Sequence, residues 1–394
     1  MKKTILCISM TPWKGDYLKS TVELMKGISS EYDVWFVDYP FTVKDVLTGM
    51  RKPNSMIPWK KIMGIENRIE SFDNGTKEDK VNIFTAPPII PSFWANNDQT
   101  FERLNKINYR IILRSVLKTM KGQNSYPDAI ITAFNPFTSV GIKEFFPNVP
   151  HLYYCYDEIS AAPWLKKHGG KMERKLMEEV DACVFTSDHL AKIKGLETKI
   201  NKVVKNGVDI KVFAPFVKKE LTSNSPKTIG YVGTIDDRFD TTLIKSVVEK
   251  MPNCHFLMVG RVLDQTVVEQ LEGFPNVMFK PAVAITEVPG IMQTLDIAII
   301  PYVKNKFTIS IYPLKINEYL AIGLPVIMTS FSDLPEFVDL VKIADRPDTF
   351  VAAIEELLEK DSPALIEKRQ AFAAENSWQK KASELISILR QFTD

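Results

Sequence analysis

Short runs of consecutive apolar residues alternate with stretches of helical periodicity along the whole chain of 394 residues. Because these runs lack polar–apolar alternation, we predict strands that are covered on both faces, as in parallel sheets flanked by helices. The predicted strands lie at 4–10, 34–39, 81–85, 129–134, 151–155, 182–186, 202–205, 228–232, 254–259, 277–279, 297–300, 325–328 and 341–344. The pattern therefore predicts an α/β protein.

The length and a polar break in the pattern predict two domains. The chain is too long for one ordinary core, and a turn-rich stretch at 211–227 separates the two series of strands. We place one Rossmann-like domain at 1–212 and a second at 226–376, facing each other across a central cleft. The final stretch, 377–394, has apolar residues at helical spacing. It either packs on its own domain or crosses back to the first domain, and we favour the crossing.

Composition narrows the functional classes. Lysine and arginine number 50 against 48 acids, a formal net charge of +2, which disfavours a protein built to bind nucleic acid. The four cysteines lie in or beside apolar runs without a CxxC pair, which indicates a reduced compartment rather than disulfides or a zinc site. The four histidines form no HExxH motif, which disfavours a metal hydrolase.

The N-terminus favours a cytoplasmic protein. Lys2 and Lys3 precede an apolar stretch at 4–10 that is short and runs into Thr11-Pro12, as a first strand and its turn would. No segment approaches the roughly 18–20 apolar residues of a membrane span. We therefore expect a protein that at most lies on the inner face of the membrane.

Two turns that follow strands of the second domain combine glycine with arginine. The strand at 228–232 is followed by Gly233 and then Arg238, so the backbone can approach an anion and the guanidinium can bind a diphosphate with two hydrogen bonds. The strand at 254–259 is followed by a glycine and Arg261. The spacing is not G-x-G-x-x-G, so the dinucleotide fingerprint is missing. The alternative for both is an ordinary turn with a surface arginine.

The helix predicted to start near residue 314 has the strongest ligand signal. Lys315 lies in its first turn, where free amides and the helix dipole favour anions, and Glu318 shares its face three residues later. A cation for the diphosphate and a carboxylate for two ribose hydroxyls suit a nucleoside diphosphate. The alternative is an i,i+3 salt bridge, which explains neither the Tyr-Pro before the helix nor the Gly-Leu-Pro after it.

These residues resemble the donor-binding helix of GT-B glycosyltransferases, especially the large retaining group called family 4 or group 1. The pattern of that group is Glu, seven residues, Glu, then Ala-x-Gly-x-Pro-Val. Here Glu318 matches the second glutamate and is followed by Ala321, Gly323, Pro325 and Val326. Two further segments are similar to motifs of the group: Asn206-Gly207-Val208-Asp209 with Phe213, and Ala374-Glu375-Asn376-Ser377-Trp378.

The resemblance covers most of residues 150–380 and implies a GT-B fold with a nucleotide-sugar donor held by the second domain. It implies that the diphosphate is bound by Gly233, Arg238, Arg261 and Lys315, and the ribose by Glu318. The predicted donor-sugar pocket consists of Tyr302, Ser310 and Leu314. Ser310 stands where the group has its first glutamate, which contacts the sugar hydroxyls, so the donor sugar and the retaining stereochemistry stay open. We expect no metal and no cofactor beyond the donor.

An acid in the first domain is the candidate for the chemistry. Asp157 follows the predicted strand at 151–155, where a carboxylate could take the proton of an acceptor hydroxyl. The position is similar to that of the catalytic aspartate in inverting GT-B glucuronosyltransferases of exopolysaccharide synthesis, which also have a lysine at the place of Lys315. The alternatives are a substrate-binding role in a retaining enzyme and a structural helix cap.

Two other segments of the first domain have possible binding roles. Lys14 and Gly15 lie in the first loop, where GT-B enzymes have a flexible glycine loop; the alternative is a plain turn. The segment 99–121 combines basic residues with apolar residues at helical spacing. It either lies on an anionic membrane or packs on its own sheet, and we favour the packing.

Taken together, the residues and the resemblance predict a glycosyltransferase that moves a sugar from a UDP- or GDP-linked donor to a glycan or lipid-linked acceptor in surface-polysaccharide synthesis. Two alternatives stay open. One is a nucleotide-sugar epimerase of the same fold, because fold does not determine function. The other is a non-catalytic subunit that binds a nucleotide sugar, which the serine at position 310 keeps open.

Overall fold

The structure, a computed structural model, describes residues 2–15, 18–52, 57–75, 79–162, 165–196, 199–218 and 225–394. The chain divides into two compact units, one formed by Met1–Lys205 with Lys381–Asp394 and the other by Asn206–Lys380. We call them unit 1 and unit 2. The domain limits proposed from the sequence, 1–212, 226–376 and 377–394, stay a prediction.

Unit 1 contains a sheet of eight strands among its described residues, in the order β3-β4-β2-β1-β5-β6-β7-β8. The strands are β1 Lys3–Ser9, β2 Tyr32–Val37, β3 Ile69–Asp73, β4 Lys80–Phe84, β5 Ala129–Ala133, β6 His151–Cys155, β7 Ala182–Phe185 and β8 Ile200–Val203. The helices are α1 Ser20–Ile28, α2 Val43–Arg51, α3 Trp59–Met63, α4 Asp98–Gly122, α5 Pro136–Ser139, α6 Gly169–Glu179 and α7 Asp188–Lys194.

Strand β3 departs from the predicted pattern of parallel strands. It was missed in the sequence, and it pairs with β4 in antiparallel orientation at the edge of the sheet. Its sequence, Ile-Glu-Ser-Phe-Asp, has no continuous apolar run. None of its residues is fully buried, so the strand does not need one. An edge strand that is half-exposed can therefore escape a search for buried runs.

Helix α4 packs on the sheet of unit 1 with one face. That face buries Tyr109, Ile112, Leu113, Val116 and Met120 in the core. Of the apolar residues that suggested a membrane-facing side, only Ile107 is largely exposed, at 46%, whereas Leu104, Ile111 and Leu117 are half-buried. Packing on the sheet, the alternative favoured in the sequence, is what the structure has.

The last residues of the chain belong to unit 1. Helix α15, Trp378–Thr393, begins in unit 2, and its residues from Lys381 onward lie in unit 1. Arg390 pairs with Glu31 at 2.6 Å, and Lys3 pairs with Asp394 at 3.0 Å. Its apolar side chains Leu385 and Leu389 are buried.

Unit 2 contains a parallel sheet of six strands among its described residues, in the order β11-β10-β9-β12-β13-β14. The strands are β9 Lys227–Val232, β10 Cys254–Val259, β11 Val277–Lys280, β12 Ile297–Ile300, β13 Val326–Met328 and β14 Val341–Ile343. The helices are α8 Ile210–Phe213, α9 Thr241–Lys250, α10 Gln265–Leu271, α11 Val288–Gln293, α12 Leu314–Ile322, α13 Pro347–Lys360 and α14 Pro363–Glu375, followed by α15.

The strand order of unit 2 creates a switch point between β9 and β12. The chain runs from β9 outward to β10 and β11, and then returns to the other side of β9 as β12. In open parallel sheets, ligands bind in the crevice outside the carboxyl ends of the strands at such a switch point. The strand order therefore predicts a ligand site at the loops after β9 and β12.

Two general features complete the fold. No helix among the described residues is both long and apolar enough to cross a membrane. The four cysteines are all buried and unpaired, and none forms a disulfide.

Candidate functional site

The candidate site lies at the carboxyl ends of β9 and β12. Beyond β9, the backbone N–H of Gly233 donates to Val259 O at 2.8 Å, with φ at +156°. Beyond β12, the loop from 236 to 240 is bound to the strand end, because Asp240 N donates to Pro301 O and Val303 N donates to Arg238 O, both at 2.7 Å. These bonds hold the Arg238 loop beside the end of β12.

Arg238 is oriented by two neighbours. Its Nε and Nη2 donate to the carboxylate of Asp236 at 2.8 and 2.5 Å. Its guanidinium carbon lies 5.3 Å from the ring centroid of Tyr302, a cation–π distance. Asp236 takes only two of the five guanidinium N–H groups. Arg238 therefore keeps donors for an anion while its orientation is fixed by an acid that sequence reasoning did not assign.

Lys315 in the first turn of α12 is held by two tyrosines. Its Nζ donates to the hydroxyl oxygens of Tyr231 and Tyr302, each at 2.8 Å. It also lies 4.0 Å from the ring centroid of Tyr231. A Cβ atom at residue 233 would collide with this Nζ. Glycine at position 233 is therefore required both by its positive φ and by the closeness of the ammonium group.

Glu318 lies one turn further along α12 and is half-buried. Burial raises the pKa of its carboxyl group to about 7, although the charge of Lys315 acts in the opposite direction. No hydrogen bond to this carboxylate is formed by the residues that the structure describes. Because a half-buried carboxylate without donors is unfavourable, the group is suited to accept hydrogen bonds from a ligand.

The site as a whole is electropositive. Burial lowers the pKa of Lys315, although the Tyr302 hydroxyl favours the charged ammonium. Burial alone would raise the pKa of Tyr302, but the charges of Lys315 and Arg238 outweigh it, and that pKa is lowered. The pKa of Lys315 is thus lowered first by burial, whereas that of Tyr302 is lowered by the two cations beside its buried phenol. An anionic ligand would relieve their mutual repulsion.

The structure brings together four of the predicted donor residues: Gly233, Arg238, Tyr302 and Lys315. Their contacts differ from the prediction in one respect, because the hydroxyl of Tyr302 contacts Lys315 and Tyr231. The roles assigned to all these residues stay predictions.

The other predicted donor residues are less closely connected. Arg261 is exposed after β10, and its carbonyl oxygen accepts a bond from Ile235 N at 2.9 Å. Ser310 is fully buried in the 3-10 helix Thr308–Ser310, and Leu314 is half-buried at the start of α12. Arg261 and Leu314 form no hydrogen bond with Lys315 or Arg238 among the residues that the structure describes.

In unit 1, Asp157 follows β6 and is half-buried. Its neighbour Glu158 has a structural role, because it pairs with Lys194 at 3.2 Å and accepts from Ser160 N at 2.9 Å. Lys194 is also bound to the buried Glu173 at 2.7 Å, so Glu158 belongs to a buried ion-pair network. Asp157 stays the candidate for chemistry in this unit.

The first loop of unit 1 is stabilised from within. Lys19, which is buried, donates from Nζ to the carbonyl oxygens of Pro12 and Lys14 at 2.7 and 2.6 Å. Gly15 has φ at +155°, and a Cβ atom there would contact the same Nζ. Lys14 itself is exposed and pairs with Glu70 at 2.7 Å. The loop is thus an ordered turn held by the Lys19 ammonium group. No signal in the sequence indicated this role of Lys19.

A second unrecognised residue lies between the loops after β1 and β6. Phe134, directly after β5, has φ at +53°, which is rare for a residue other than glycine, and its ring lies 4.4 Å from that of Tyr156. The hydroxyl of Tyr156 is 2.8 Å from Thr11 Oγ1 in the first loop. Backbone strain of this kind often accompanies functional sites. The Asn-Pro pair that follows Phe134 was the available sequence signal.

The two remaining motifs pair with each other inside unit 2. Val208 N donates to Asn376 O at 3.0 Å, and Trp378 N donates to Val208 O at 3.1 Å. Asn206 Nδ2 donates to Tyr312 O at 2.9 Å, just before α12, and Asn317 of α12 donates back to Asn206 O at 3.0 Å. These contacts indicate that both motifs brace the start of the helix that carries Lys315 and Glu318.

Comparison with known proteins assigns the part of the chain that carries this site. Residues 226–360 match the model of the family described as glycosyl transferases group 1. The matched residues lie within unit 2 and include Gly233, Arg238, Lys315 and Glu318. The predicted resemblance to this group is confirmed.

A curated relative is similar to about half of the chain. The putative teichuronic acid biosynthesis glycosyltransferase TuaH of Bacillus subtilis strain 168 is 29% identical over 222 residues. The match spans 52% of this chain and 56% of the relative, so it covers about half the length of each.

Solved structures confirm the predicted GT-B fold over the whole chain. The sucrose-phosphate synthase of Thermosynechococcus elongatus aligns with a TM-score of 0.70 at 14% identity, covering 99% of both chains. The Anabaena protein HepE, solved in complex with UDP, aligns with a TM-score of 0.62 at 14% identity, covering 99% of this chain and 100% of its own.

Proposed function

We propose that the protein transfers a sugar from a nucleoside-diphosphate sugar, UDP- or GDP-linked, to a glycan or lipid-linked acceptor during surface-polysaccharide synthesis. The observation that carries this proposal is the position of Lys315 and Arg238 on either side of Tyr302, with Gly233 next to Lys315. Among the described residues no donor binds the carboxylate of Glu318, one helical turn away. This arrangement supplies cations for a diphosphate and acceptors for two ribose hydroxyls.

The residues of the site have distinct proposed roles. Lys315 and Arg238 bind the diphosphate and stabilise the negative charge that develops on the leaving group, as a metal would in other transferases. Gly233 allows the backbone to approach the phosphates, and Arg261 adds a peripheral cation. Glu318 binds the ribose. The proposed donor-sugar pocket consists of Tyr302, Ser310 and Leu314.

In unit 1, we assign Asp157 to the acceptor. In an inverting reaction its carboxylate takes the proton of the acceptor hydroxyl as that oxygen attacks the anomeric carbon. In a retaining reaction it binds the acceptor instead. Lys14 and Gly15 of the first loop are proposed to contact the acceptor as well.

Two comparisons support this choice of substrates. HepE has been solved with UDP, and also with UDP and glucose, which is consistent with a UDP-linked donor for this fold. The name of TuaH refers to teichuronic acid biosynthesis, which favours a polysaccharide product. We further propose a cytoplasmic location, with attachment to the anionic inner face of the membrane.

The proposed donor site is tested by thermal unfolding with UDP, GDP, ADP, CMP, dTDP and their common sugars. A ligand that binds only the native state must raise the melting temperature. We expect one nucleotide to raise it by several degrees, and both Lys315→Ala and Glu318→Ala to abolish the shift. Lys245→Ala, an exposed lysine on α9, is the control. Absence of a shift with every nucleotide would reject the donor site.

Product analysis distinguishes a transferase from the two alternatives, an epimerase and a non-catalytic binding subunit. An epimerase converts the donor into a new sugar nucleotide with no acceptor present, whereas a transferase needs an acceptor for more than slow hydrolysis. A non-catalytic subunit binds the nucleotide sugar and leaves it unchanged with every acceptor. Chromatography of the nucleotide products with and without acceptor therefore distinguishes the three.

A further inference from the structure

Tyr231 and Tyr302, at the proposed nucleotide site, form a hydrogen-bond network around Lys315 in which each donor and acceptor can be assigned. The hydroxyl of Tyr231 donates its single proton to Thr234 O at 2.6 Å. Its oxygen can therefore only accept, from Lys315 Nζ at 2.8 Å and from the Tyr302 hydroxyl at 3.3 Å. Tyr302 in turn accepts from Lys315 at 2.8 Å.

This network uses two of the three N–H donors of the Lys315 ammonium group. No other described residue accepts the third. Gly233, whose missing Cβ leaves room at the same Nζ, borders the group on one side. The third N–H is thus available for a ligand, while the other two determine its direction.

Both tyrosines are themselves held in place. Tyr231, at the end of β9, is fully buried and packs edge-on against Phe239 at 5.2 Å. Tyr302, after β12, is 3% exposed and lies between Lys315 at its hydroxyl and Arg238 at its ring. A long lysine side chain otherwise loses much rotamer entropy when it is fixed, so two rigid phenols lower the cost of ordering it.

We propose that Tyr231 and Tyr302 are positioning residues that hold the Lys315 ammonium group charged and directed toward the diphosphate of the nucleotide. This inference rests on the proposed function. The other groups near the ammonium are the guanidinium of Arg238, which disfavours its charge, and the carboxylate of Glu318, which favours it. Removing a phenol oxygen leaves the burial and the Arg238 charge in place and removes an acceptor. The pKa of Lys315 must then fall further.

The test measures the pKa of Lys315 without any nucleotide. Competitive labelling with acetic anhydride across a pH series, read by mass spectrometry of the peptide that contains Lys315, reports this pKa directly. We expect it to fall by about one pH unit in Tyr231→Phe and in Tyr302→Phe, the size expected for loss of one charge-assisted hydrogen bond. Tyr319→Phe is the matched control, because that buried hydroxyl accepts from Val232 N and has no hydrogen bond to Lys315.

A second arm measures the affinity for UDP at the same pH values. We expect the alkaline loss of affinity to move to lower pH in both tyrosine variants, with about tenfold weaker binding where the variant lysine is neutral. A Lys315 pKa that stays unchanged in both variants overturns the inference, whether or not UDP binds. A pKa that falls without any change in UDP affinity also overturns it.

The two arms keep this inference separate from the proposed function. If the unaltered protein binds neither UDP nor another nucleotide, the proposed function fails, and the positioning role toward a nucleotide fails with it. If nucleotides bind and the labelling arm shows no shift, only the positioning role fails. Labelling of the exposed Lys245 in the same samples is the internal reference for reagent reactivity, and circular dichroism reports whether each variant is folded.

Discussion

Glu318, which is proposed to bind the ribose, is unfavourable for the stability of the fold. The carboxyl group is half-buried and lacks hydrogen-bond donors among the described residues, and burial raises its pKa to about 7. In the unfolded chain it ionises near pH 4.3. Between these values the folded protein binds more protons than the unfolded chain, so the free energy of unfolding falls as pH rises through this window.

We therefore expect Glu318→Gln to be more stable than the unaltered protein without ligand at pH 8. The difference in free energy of unfolding should grow by about 1–3 kcal/mol between pH 5 and pH 8, because glutamine cannot ionise. Urea unfolding at several pH values measures it, with Glu367→Gln on the exposed side of α14 as control. A difference that is constant with pH would contradict the raised pKa. The same variant should lose nucleotide binding.

Helix α4 is the element whose surface is hardest to explain by folding alone. Its exposed or half-exposed side carries six cations, Arg103, Lys106, Arg110, Arg114, Lys118 and Lys121. Four of them follow each other at i,i+4 spacing, which destabilises a helix by a few tenths of a kcal/mol per pair. Among the six, only Arg110 forms an ion pair with a described residue, Glu144, at 2.8 Å. Such a row is suited to an anionic surface.

We expect the protein to bind vesicles that contain anionic lipid and to ignore neutral ones. Each cation near the surface contributes about 1 kcal/mol, so replacing Arg103, Arg114 and Lys118 by glutamate should weaken binding at least tenfold in a sedimentation assay. Replacing the exposed Lys245, Lys280 and Lys368 of unit 2 by glutamate changes the total charge equally and should have little effect. Equal loss in both triple variants would show a general charge effect and reject a role for α4.

At the scale of the whole molecule, donor binding is proposed for unit 2 and proton transfer for unit 1. The residues proposed to bind the nucleotide all lie in unit 2, whereas Asp157 follows β6 in unit 1. Binding of the donor and transfer of the sugar should therefore be separable by mutation.

We expect Asp157→Asn to bind UDP with unchanged affinity and to transfer sugar at least a hundredfold more slowly. This loss is the usual contribution of a general base. Isothermal titration measures the first quantity and product formation with acceptor the second. Ser160→Ala, which changes a neighbouring loop hydroxyl, should retain most of the activity. Transfer at the normal rate in Asp157→Asn would exclude Asp157 as the base.

The sequence by itself determined the two series of buried parallel strands and the helix α12 that is proposed to bind the donor. Both are local patterns: continuous apolar runs, and a Lys-x-x-Glu pair at a helix start followed by glycine and proline. It was insufficient for β3, whose residues are half-exposed and form no continuous apolar run.

Only the tertiary structure decided which side chains surround the lysine. Tyr231 and Lys315 are 84 positions apart, and they meet because β9 and β12 are neighbours in the sheet. No local pattern distinguishes a buried tyrosine that packs from one that accepts a hydrogen bond from an ammonium group. The structural role of Glu158 is of the same kind, since it depends on an ion pair with Lys194 of helix α7. Contacts between distant segments determine the site because hydrogen bonds act only at short range in space.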